Sequence, residues 1–198
     1  MKPRKAVSII IGYGLALSLL ACGGESGFIP AANSPQAIIT HQGLFIDSAV
    51  EGLSYSSSTH RGRTTTSGMF LYSDDTVITF SIGDITLGQA TGAPIVSPLD
   101  FISGSNETHP TVTNIARFLQ TIDDDANPQN GITITSIVAD EARRQSINFA
   151  QTIEEFEADT NVQTVVAEMT AVTTAGARAL VEASSAQAHL KASLSQLE

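Results

Sequence analysis

The sequence predicts a mixed α+β fold in which a strand-rich part comes first and a helical part follows. Two patterns indicate this order. Between residues 41 and 103, short runs of β-branched and aromatic residues are separated by turn residues about every eight to twelve positions. After Pro110 the apolar residues recur at helical spacing. Because the two patterns occupy successive segments, we expect an antiparallel sheet with helices packed on it.

The segment 41–103 is expected to form an antiparallel β-sandwich or partial barrel. Val50 to Tyr55 is predicted to be a strand, and residues 76–82 alternate apolar with polar side chains. The dipeptides Asp74-Asp75 and Gly83-Asp84 supply turns on either side of that second strand.

Two phrases in this segment are similar to a known type of β-sandwich. Ala49-Val50-Glu51-Gly52 matches a strand with the pattern V-x-G, and Thr65 to Phe70 matches a hairpin with the pattern T-x-x-G-x-F. The phrases resemble the start of prealbumin-like and carboxypeptidase-regulatory-like domains. The resemblance implies a β-sandwich for the first part of the folded chain and implies no activity.

Residues 104–198 are expected to be mainly helical and packed on the strand-rich part. The first helix follows Pro110, with Thr111 or Thr113 as its N-cap. A short strand is expected at Ile132–Ile134. Beyond Ser136 the pattern is mostly helical, and Ser184 or Ser185 is the expected cap of the last helix.

The N-terminus carries a processing signal. A basic start, Met1 to Lys5, precedes a run of fifteen almost wholly apolar residues, Ala6 to Leu20, which has the length of a signal-peptide core. Leu19-Leu20-Ala21-Cys22 then resembles the lipobox of bacterial lipoproteins. That resemblance implies a signal peptide at 1–21 and acylation of Cys22, the only cysteine of the chain. An ordinary secretory signal and an uncleaved anchor are the alternatives.

The residues after Cys22 extend this prediction. Residues 22–40 are rich in Gly, Ser, Pro, Ala and Asn and are expected to form a flexible tether behind the lipid anchor. In lipoproteins of bacteria with two membranes, Asp directly after the cysteine favours the inner membrane. Gly23 stands here, so the resemblance implies attachment to the outer membrane, on a face that the sequence does not specify.

The charge of the chain excludes several partners. The formal net charge is −10, and it falls to −13 without residues 1–21, which hold three basic residues and no acidic one. Such a protein repels nucleic acid and anionic lipid, so membrane attachment is expected to be covalent. The single cysteine excludes an internal disulfide.

A wider resemblance covers most of the chain from Val50 onward. The phrases that carry it are Val77 to Gly88, Pro98-Leu99-Asp100, Thr113 to Asp125, and Ala188-His189-Leu190. They look like a module that recurs in secreted and surface proteins of marine-type proteobacteria. The resemblance implies a location at the cell surface and supplies no chemistry.

One acidic loop is a candidate metal site. Asp123, Asp125 and Asn127 alternate, as the oxygen ligands of an EF-hand-type calcium loop do. Gly131 falls three residues later than the standard loop requires, and the closing Glu is missing. The three residues are therefore predicted to bind calcium weakly, or to form a polar loop that ends a helix.

No catalytic motif is evident. The four histidines, His41, His60, His109 and His189, are too far apart in sequence to form a helical metal pair, and the G-x-S-x-G motif does not occur. His189 is expected to be packed or half-buried in the last helix, and His60 to lie at a hairpin tip. The absence of Trp disfavours a sugar-stacking cleft.

These observations predict an outer-membrane lipoprotein with a non-enzymatic binding or envelope-structural role. Two alternatives stay open. One is an adhesion module stabilised by calcium. The other is a periplasmic or surface enzyme, or an accessory subunit of one, whose site is assembled from residues distant in sequence.

Overall fold

A computed structural model describes residues 38–197, which belong to one compact unit. The strands are His41–Phe45 (β1), Val50–Glu51 (β2), Ser54–Ser56 (β3), Arg61–Arg63 (β4), Met69–Tyr72 (β5), Val77–Ile82 (β6), Ile85–Thr91 (β7), Ile95–Val96 (β8) and Ile132–Thr133 (β9). The α-helices are Pro110–Thr121 (α1), Ser136–Glu141 (α2), Ile153–Ala158 (α3), Thr160–Ala171 (α4) and Ala183–Ser195 (α5). Two 3-10 turns span Pro98–Phe101 and Pro128–Asn130. The fold is mixed α+β.

The strands form three small sheets. The largest is antiparallel, with the order β4-β3-β6-β7. Along its central strand β6, buried residues alternate with exposed or half-buried ones, and the predicted Gly83-Asp84 turn connects β6 to β7. The second sheet has the order β5-β1-β8, and the third pairs β2 with β9 in parallel. Through that last pair, the predicted strand after the acidic loop joins the strand-rich part.

Aromatic side chains connect the two larger sheets. Phe80 on β6 lies 4.9 Å from Phe45 on β1 and 5.2 Å from Phe70 on β5, measured between ring centroids. The same buried cluster continues into the helices, where Phe149 contacts Phe118 and Phe156. This apolar cluster therefore stabilises the strands together with helices α1 to α4.

The predicted strand from Val50 to Tyr55 is interrupted. Gly52 has a φ of +87° and separates β2 from β3. A Cβ atom at this position would clash with the backbone carbonyl of Ile134, so the chain needs glycine here. The interruption lets β2 pair with β9 while β3 pairs within the large sheet.

Both predicted helix caps are wrong by a few residues. Helix α1 begins at Pro110 with His109 as its N-cap residue, ahead of Thr111 and Thr113. Proline fits the first helical position because that residue needs no N–H donor there. Helix α5 begins at Ala183 after Glu182, ahead of both predicted serines, and its N-cap makes no side-chain hydrogen bond.

Helices α1 and α5 pack against each other and position the site described below. Val112 and Ala116 of α1 contact Ala186 and Leu190 of α5 in a second buried cluster. Within residues 38–197, no helix is both long and apolar enough to cross a bilayer. The predicted lipidation site Cys22 lies outside the described residues.

Candidate functional site

A tight turn after β1 forms the floor of the candidate site. Ile46 and Ala49 form an isolated antiparallel bridge, so the chain reverses at Asp47 and Ser48. Ser48 takes a φ of +64°, in the left-handed region that residues with a Cβ rarely adopt. This turn directs the side chains of Asp47 and Ser48 toward the facing helices.

Asp47 is fully buried. Its two carboxyl oxygens accept hydrogen bonds from the Gln120 side-chain amide of α1, at 3.0 and 3.2 Å. The same amide nitrogen lies 3.2 Å from the Ala186 carbonyl oxygen of α5. Burial raises the pKa of Asp47 well above its usual range, although the Gln120 hydrogen bond lowers it in part. The neutral carboxylic acid is therefore favoured at a point where β1, α1 and α5 meet.

His189 of α5 covers this turn. Its Nε2 atom lies 2.8 Å from the Asp47 carbonyl oxygen and 3.0 Å from the Ser48 hydroxyl oxygen. The side chain is half-buried, as predicted, and burial lowers its pKa. At neutral pH the imidazole is therefore uncharged, and one of its two nitrogens carries no proton.

The contact with the Asp47 carbonyl favours the tautomer of His189 in which Nε2 carries the proton. A carbonyl oxygen only accepts, so the 2.8 Å contact is a hydrogen bond only when Nε2 is protonated. The Ser48 hydroxyl donates its own proton to the Pro128 carbonyl oxygen, at 2.6 Å. The one Nε2 proton is shared between the Asp47 carbonyl and Ser48, so Ser48 can only accept from His189. A serine nucleophile needs the opposite arrangement, in which its hydroxyl donates to the base.

A surface cavity of about 450 Å³ lies beside this pair, and we call it the Ser48 cavity. Its volume falls within the range of small-molecule sites. Within residues 38–197, the only ionisable side chain that lines the cavity is that of His189, which is neutral. The lining residues are Ile46, Ser48, Ala49, Gln129, Asn130, Gly131, His189, Ala192, Ser193, Gln196 and Leu197. Hydroxyl and amide groups mixed with aliphatic side chains favour an uncharged polar ligand.

The residues predicted to bind calcium lie in the loop that leads to this cavity. Asp123 and Asp125 both accept the Asn127 backbone N–H, at 2.9 and 3.0 Å. The other oxygen of Asp123 accepts the Thr133 N–H, and that of Asp125 accepts the Asn130 side-chain amide. The loop thus brings two of the three predicted side chains together, and each carboxyl oxygen already has a donor from this chain.

The two carboxyl groups affect each other's protonation. Burial raises the pKa of Asp123 to about 6, and the nearby carboxyl of Asp125 adds to the increase. The side-chain amide of Asn130 and the N–H of Asn127 lower the pKa of Asp125. No group of three or more His, Cys, Asp or Glu side chains within residues 38–197 is arranged to hold a metal ion. A calcium ion here would depend on two carboxylates and on neutral oxygens.

Arg178 supplies positive charge to the same loop. Its guanidinium donates to the carbonyl oxygens of Asp123 and Thr121, the latter at 2.7 Å, at the end of α1. Asp124 accepts the N–H and the hydroxyl of Thr174, at 3.1 and 2.5 Å. These contacts tie the acidic loop to the segment between α4 and α5.

Sequence reasoning missed Asp47, Ser48, Gln120 and Arg178. Asp47-Ser48 between apolar pairs is recognisable as a turn, but its pairing with α1 and α5 depends on contacts about 70 and 140 residues apart. The other predicted histidines lie elsewhere: His60 occupies the β3–β4 turn as expected, and His41 lies 3.1 Å from Asp74. No protein-family model, curated protein or solved structure matches this chain.

Proposed function

We propose that this chain is a lipoprotein of the bacterial outer membrane, anchored through Cys22, whose folded part binds a ligand without catalysing a reaction. The ligand site is the Ser48 cavity, and the chemistry of its lining fits an uncharged ligand rich in hydroxyl or amide groups. The observation that carries the non-catalytic part is the 2.8 Å contact between His189 Nε2 and the Asp47 carbonyl oxygen.

The anchor is supported by the lipobox and by the charge of the chain. The only cysteine follows a fifteen-residue apolar run, and a net charge of −13 after processing opposes adsorption to anionic lipid. Acyl chains on Cys22 would hold the protein on a bilayer regardless of that repulsion, at about 0.8 kcal/mol for each buried CH₂ group.

The strand-rich part is proposed to be sandwich-like, with the helices of residues 104–198 packed on it. The contacts of Phe80 with Phe45 and Phe70 support this, because they pack a face of one sheet against a face of another. Such a rigid support suits a binding site carried on turns and a helix end.

The anchor is tested by mass spectrometry of the mature protein expressed in a host that processes lipoproteins. We expect an N-terminal Cys22 that carries a diacylglyceryl group and an amide-linked acyl chain. The Cys22→Ser variant should lose both groups. Recovery of an intact Met1, or of Cys22 without lipid, would exclude the proposed anchor.

A second candidate function is serine hydrolysis, and the contact of Ser48 with His189 favours it. The two side chains lie 3.0 Å apart, and the φ of +64° at Ser48 is typical of strained catalytic turns. A fluorophosphonate probe separates the candidates. If the site is not catalytic, we expect the wild type to be labelled no more than Ser48→Ala. Stoichiometric labelling of the wild type that disappears in Ser48→Ala and in His189→Ala would establish the hydrolase.

The calcium-stabilised adhesion module stays an alternative. The proximity of Asp123 and Asp125 favours it, since a divalent cation would relieve the repulsion between two ionised carboxylates. The donors from this chain to all four carboxyl oxygens argue for a loop that needs no ion. The effect of calcium on the melting temperature decides between the two.

A further inference from the structure

A second cavity, of about 620 Å³, lies away from the Ser48 site, where the large sheet meets α2. Its polar lining comes from strand β3, the edge strand β4, the β6–β7 turn, and α2 with the residues that follow it. We call it the arginine cavity. The polar and charged residues that bear on ligand binding are Ser54, Arg63, Asp84, Ser136, Arg143 and Arg144.

Three of the seven basic residues beyond residue 21 line this one cavity. The others include Arg117 and Arg178, which donate to backbone carbonyl oxygens, and Lys191, which lies 3.3 Å from Glu107. In a chain with 20 acidic residues, this concentration of arginine is a local exception to the overall charge.

The cavity lining carries three arginines and two aspartates, so its formal charge is +1, and only one of the arginines pairs with an aspartate. Asp140 pairs with Arg143 at 2.9 Å. Asp84 accepts the backbone N–H of Arg144 at 2.8 Å and thereby fixes the chain next to it. Within residues 38–197, the guanidinium groups of Arg63 and Arg144 make no hydrogen bond or ion pair.

Protection of a sheet edge explains only part of this pattern. Exposed charges on an edge strand prevent pairing with other chains, and Arg61 and Arg63 on β4 fulfil that role. Arg143 and Arg144 lie on a different element and protect no strand. Gly83, with a φ of +53°, packs closely against Ala139 and Ala142, so the β6–β7 turn and the end of α2 are held together under these arginines.

We propose that the arginine cavity binds a phosphate monoester. The two guanidinium groups without a partner can both contact such a ligand, whose charge of about −1.5 to −2 at neutral pH is opposite in sign to the lining's formal charge of +1. The fork of N–H donors on each guanidinium suits phosphate oxygens, and the hydroxyls of Ser54 and Ser136 add donors. At physiological salt, electrostatic interactions between exposed charges are screened over about 8 Å. Acidic residues farther from the cavity than this therefore repel the phosphate only weakly. This inference is independent of the Ser48 cavity.

The test is calorimetric titration of the full chain in nonionic detergent with two soluble phosphate monoesters. Glycerol 3-phosphate represents a free metabolite, and dihexanoyl phosphatidic acid carries the same group on a lipid. We expect saturable binding that weakens with salt. Binding of the lipid at least about tenfold tighter would assign the source to a lipid headgroup. Equal binding would assign it to a soluble phosphate, and either result supports the site.

Variants locate the binding. Arg63→Gln and Arg144→Asn should each weaken it about tenfold, because each removes one charged donor. Asn is chosen because Arg144 has a φ of +64°, which asparagine tolerates. Arg61→Gln is the matched control: it lies on the same strand outside the lining and should change affinity less than about twofold. Absence of saturable binding, or an equal loss in Arg61→Gln, would overturn the proposal.

Discussion

Ser48 combines an unfavourable backbone conformation with favourable polar contacts. Its left-handed backbone costs a residue with a Cβ roughly 1–2 kcal/mol. The hydroxyl bonds to Pro128 and His189, at 2.6 and 3.0 Å, and so connects the turn to the loop and to α5. The strain and the contacts have separate physical origins, so substitutions can separate them.

We expect Ser48→Gly to be more stable than Ser48→Ala by about 1 kcal/mol. Both variants lose the hydroxyl, whose hydrogen bonds contribute about 1 kcal/mol, but only glycine relieves the left-handed strain. Chemical denaturation of the two variants and the wild type gives the free energies of unfolding. Equal stability of the Gly and Ala variants would mean that the turn does not hold Ser48 in this conformation.

Asp47 should make the protein less stable as the pH rises. Its folded-state pKa is raised by burial, so the folded state holds a proton that the unfolded state releases above about pH 4. The contribution of protonated Asp47 to the free energy of unfolding is complete below pH 4. It is lost as the pH rises toward the folded-state pKa of Asp47. Asp47→Asn stays neutral and should show a smaller loss of unfolding free energy between pH 4 and pH 8.

The pH effect of Asp47 is separable from that of Asp123. Asp123 has a folded pKa of about 6, so it lowers the free energy of unfolding between about pH 4 and pH 6. This loss is equal in the wild type and in Asp47→Asn, and it therefore cancels when the two proteins are compared. Parallel stability curves for the wild type and Asp47→Asn would contradict the raised pKa of Asp47.

At the scale of elements, Arg178 joins the end of α1 to the segment before α5. It donates to the carbonyl oxygens of Thr121, Asp123 and Gly176 and to the hydroxyl of Thr173. The last carbonyl groups of a helix lack partners within the helix, and a cation there also complements the helix dipole. One guanidinium thus satisfies several backbone groups.

Arg178→Gln should lower the free energy of unfolding by about 2–4 kcal/mol, because it leaves several partly buried carbonyl oxygens without a donor. Thermal unfolding followed by circular dichroism measures the loss. Arg61→Gln, on an exposed edge strand, is the control and should change stability by less than about 0.5 kcal/mol. A loss in Arg178→Gln as small as in the control would show that this connection is not stabilising.

The elements that the sequence predicted correctly have strong local patterns. Residues 77–82 alternate in burial as expected, and the Gly83-Asp84 turn follows them. One error arose from a tertiary contact and the other from a local preference of proline for the first helical position. Gly52 breaks the predicted strand because the carbonyl of Ile134, 82 residues later in the chain, approaches it. Pro110 begins α1 ahead of the predicted threonine caps.

Of the predicted metal ligands, the structure brings Asp123 and Asp125 together, and calcium binding there stays a prediction. Asp123 and Asp125 are close together, as their spacing suggested, and this follows from local turn geometry. The grouping of Asp47 with Gln120 and His189 has no local signal, because it depends on the packing of α1 against α5 around the first turn.

At the scale of the whole molecule, the strands and helices α1 to α4 share one buried core, and α5 is joined to it through α1. Phe80→Ala removes a fully buried ring that contacts Phe45 and Phe70, and it should cost about 3–5 kcal/mol. Because the core is shared, loss of helix and loss of tyrosine packing should occur in one transition. Far- and near-ultraviolet circular dichroism test this; two separate midpoints would mean that the strand-rich and helical parts unfold independently.

Calcium should have little effect on the stability of the whole domain. All four carboxyl oxygens of Asp123 and Asp125 already accept hydrogen bonds, and Arg178 adds positive charge. We expect the Tm of the full chain to change by less than about 1 °C between calcium and chelator. A rise of several degrees with calcium, abolished in Asp125→Asn, would establish the calcium-stabilised alternative.

The protonation of His189 distinguishes a binding site from a catalytic one most directly. Long-range proton–nitrogen correlation spectra of the ¹⁵N-labelled full chain in detergent at neutral pH measure it directly. We predict a neutral ring with the proton on Nε2, bonded to the Asp47 carbonyl oxygen. A proton on Nδ1, with Nε2 free to accept from Ser48, would contradict this protonation and favour the hydrolase alternative.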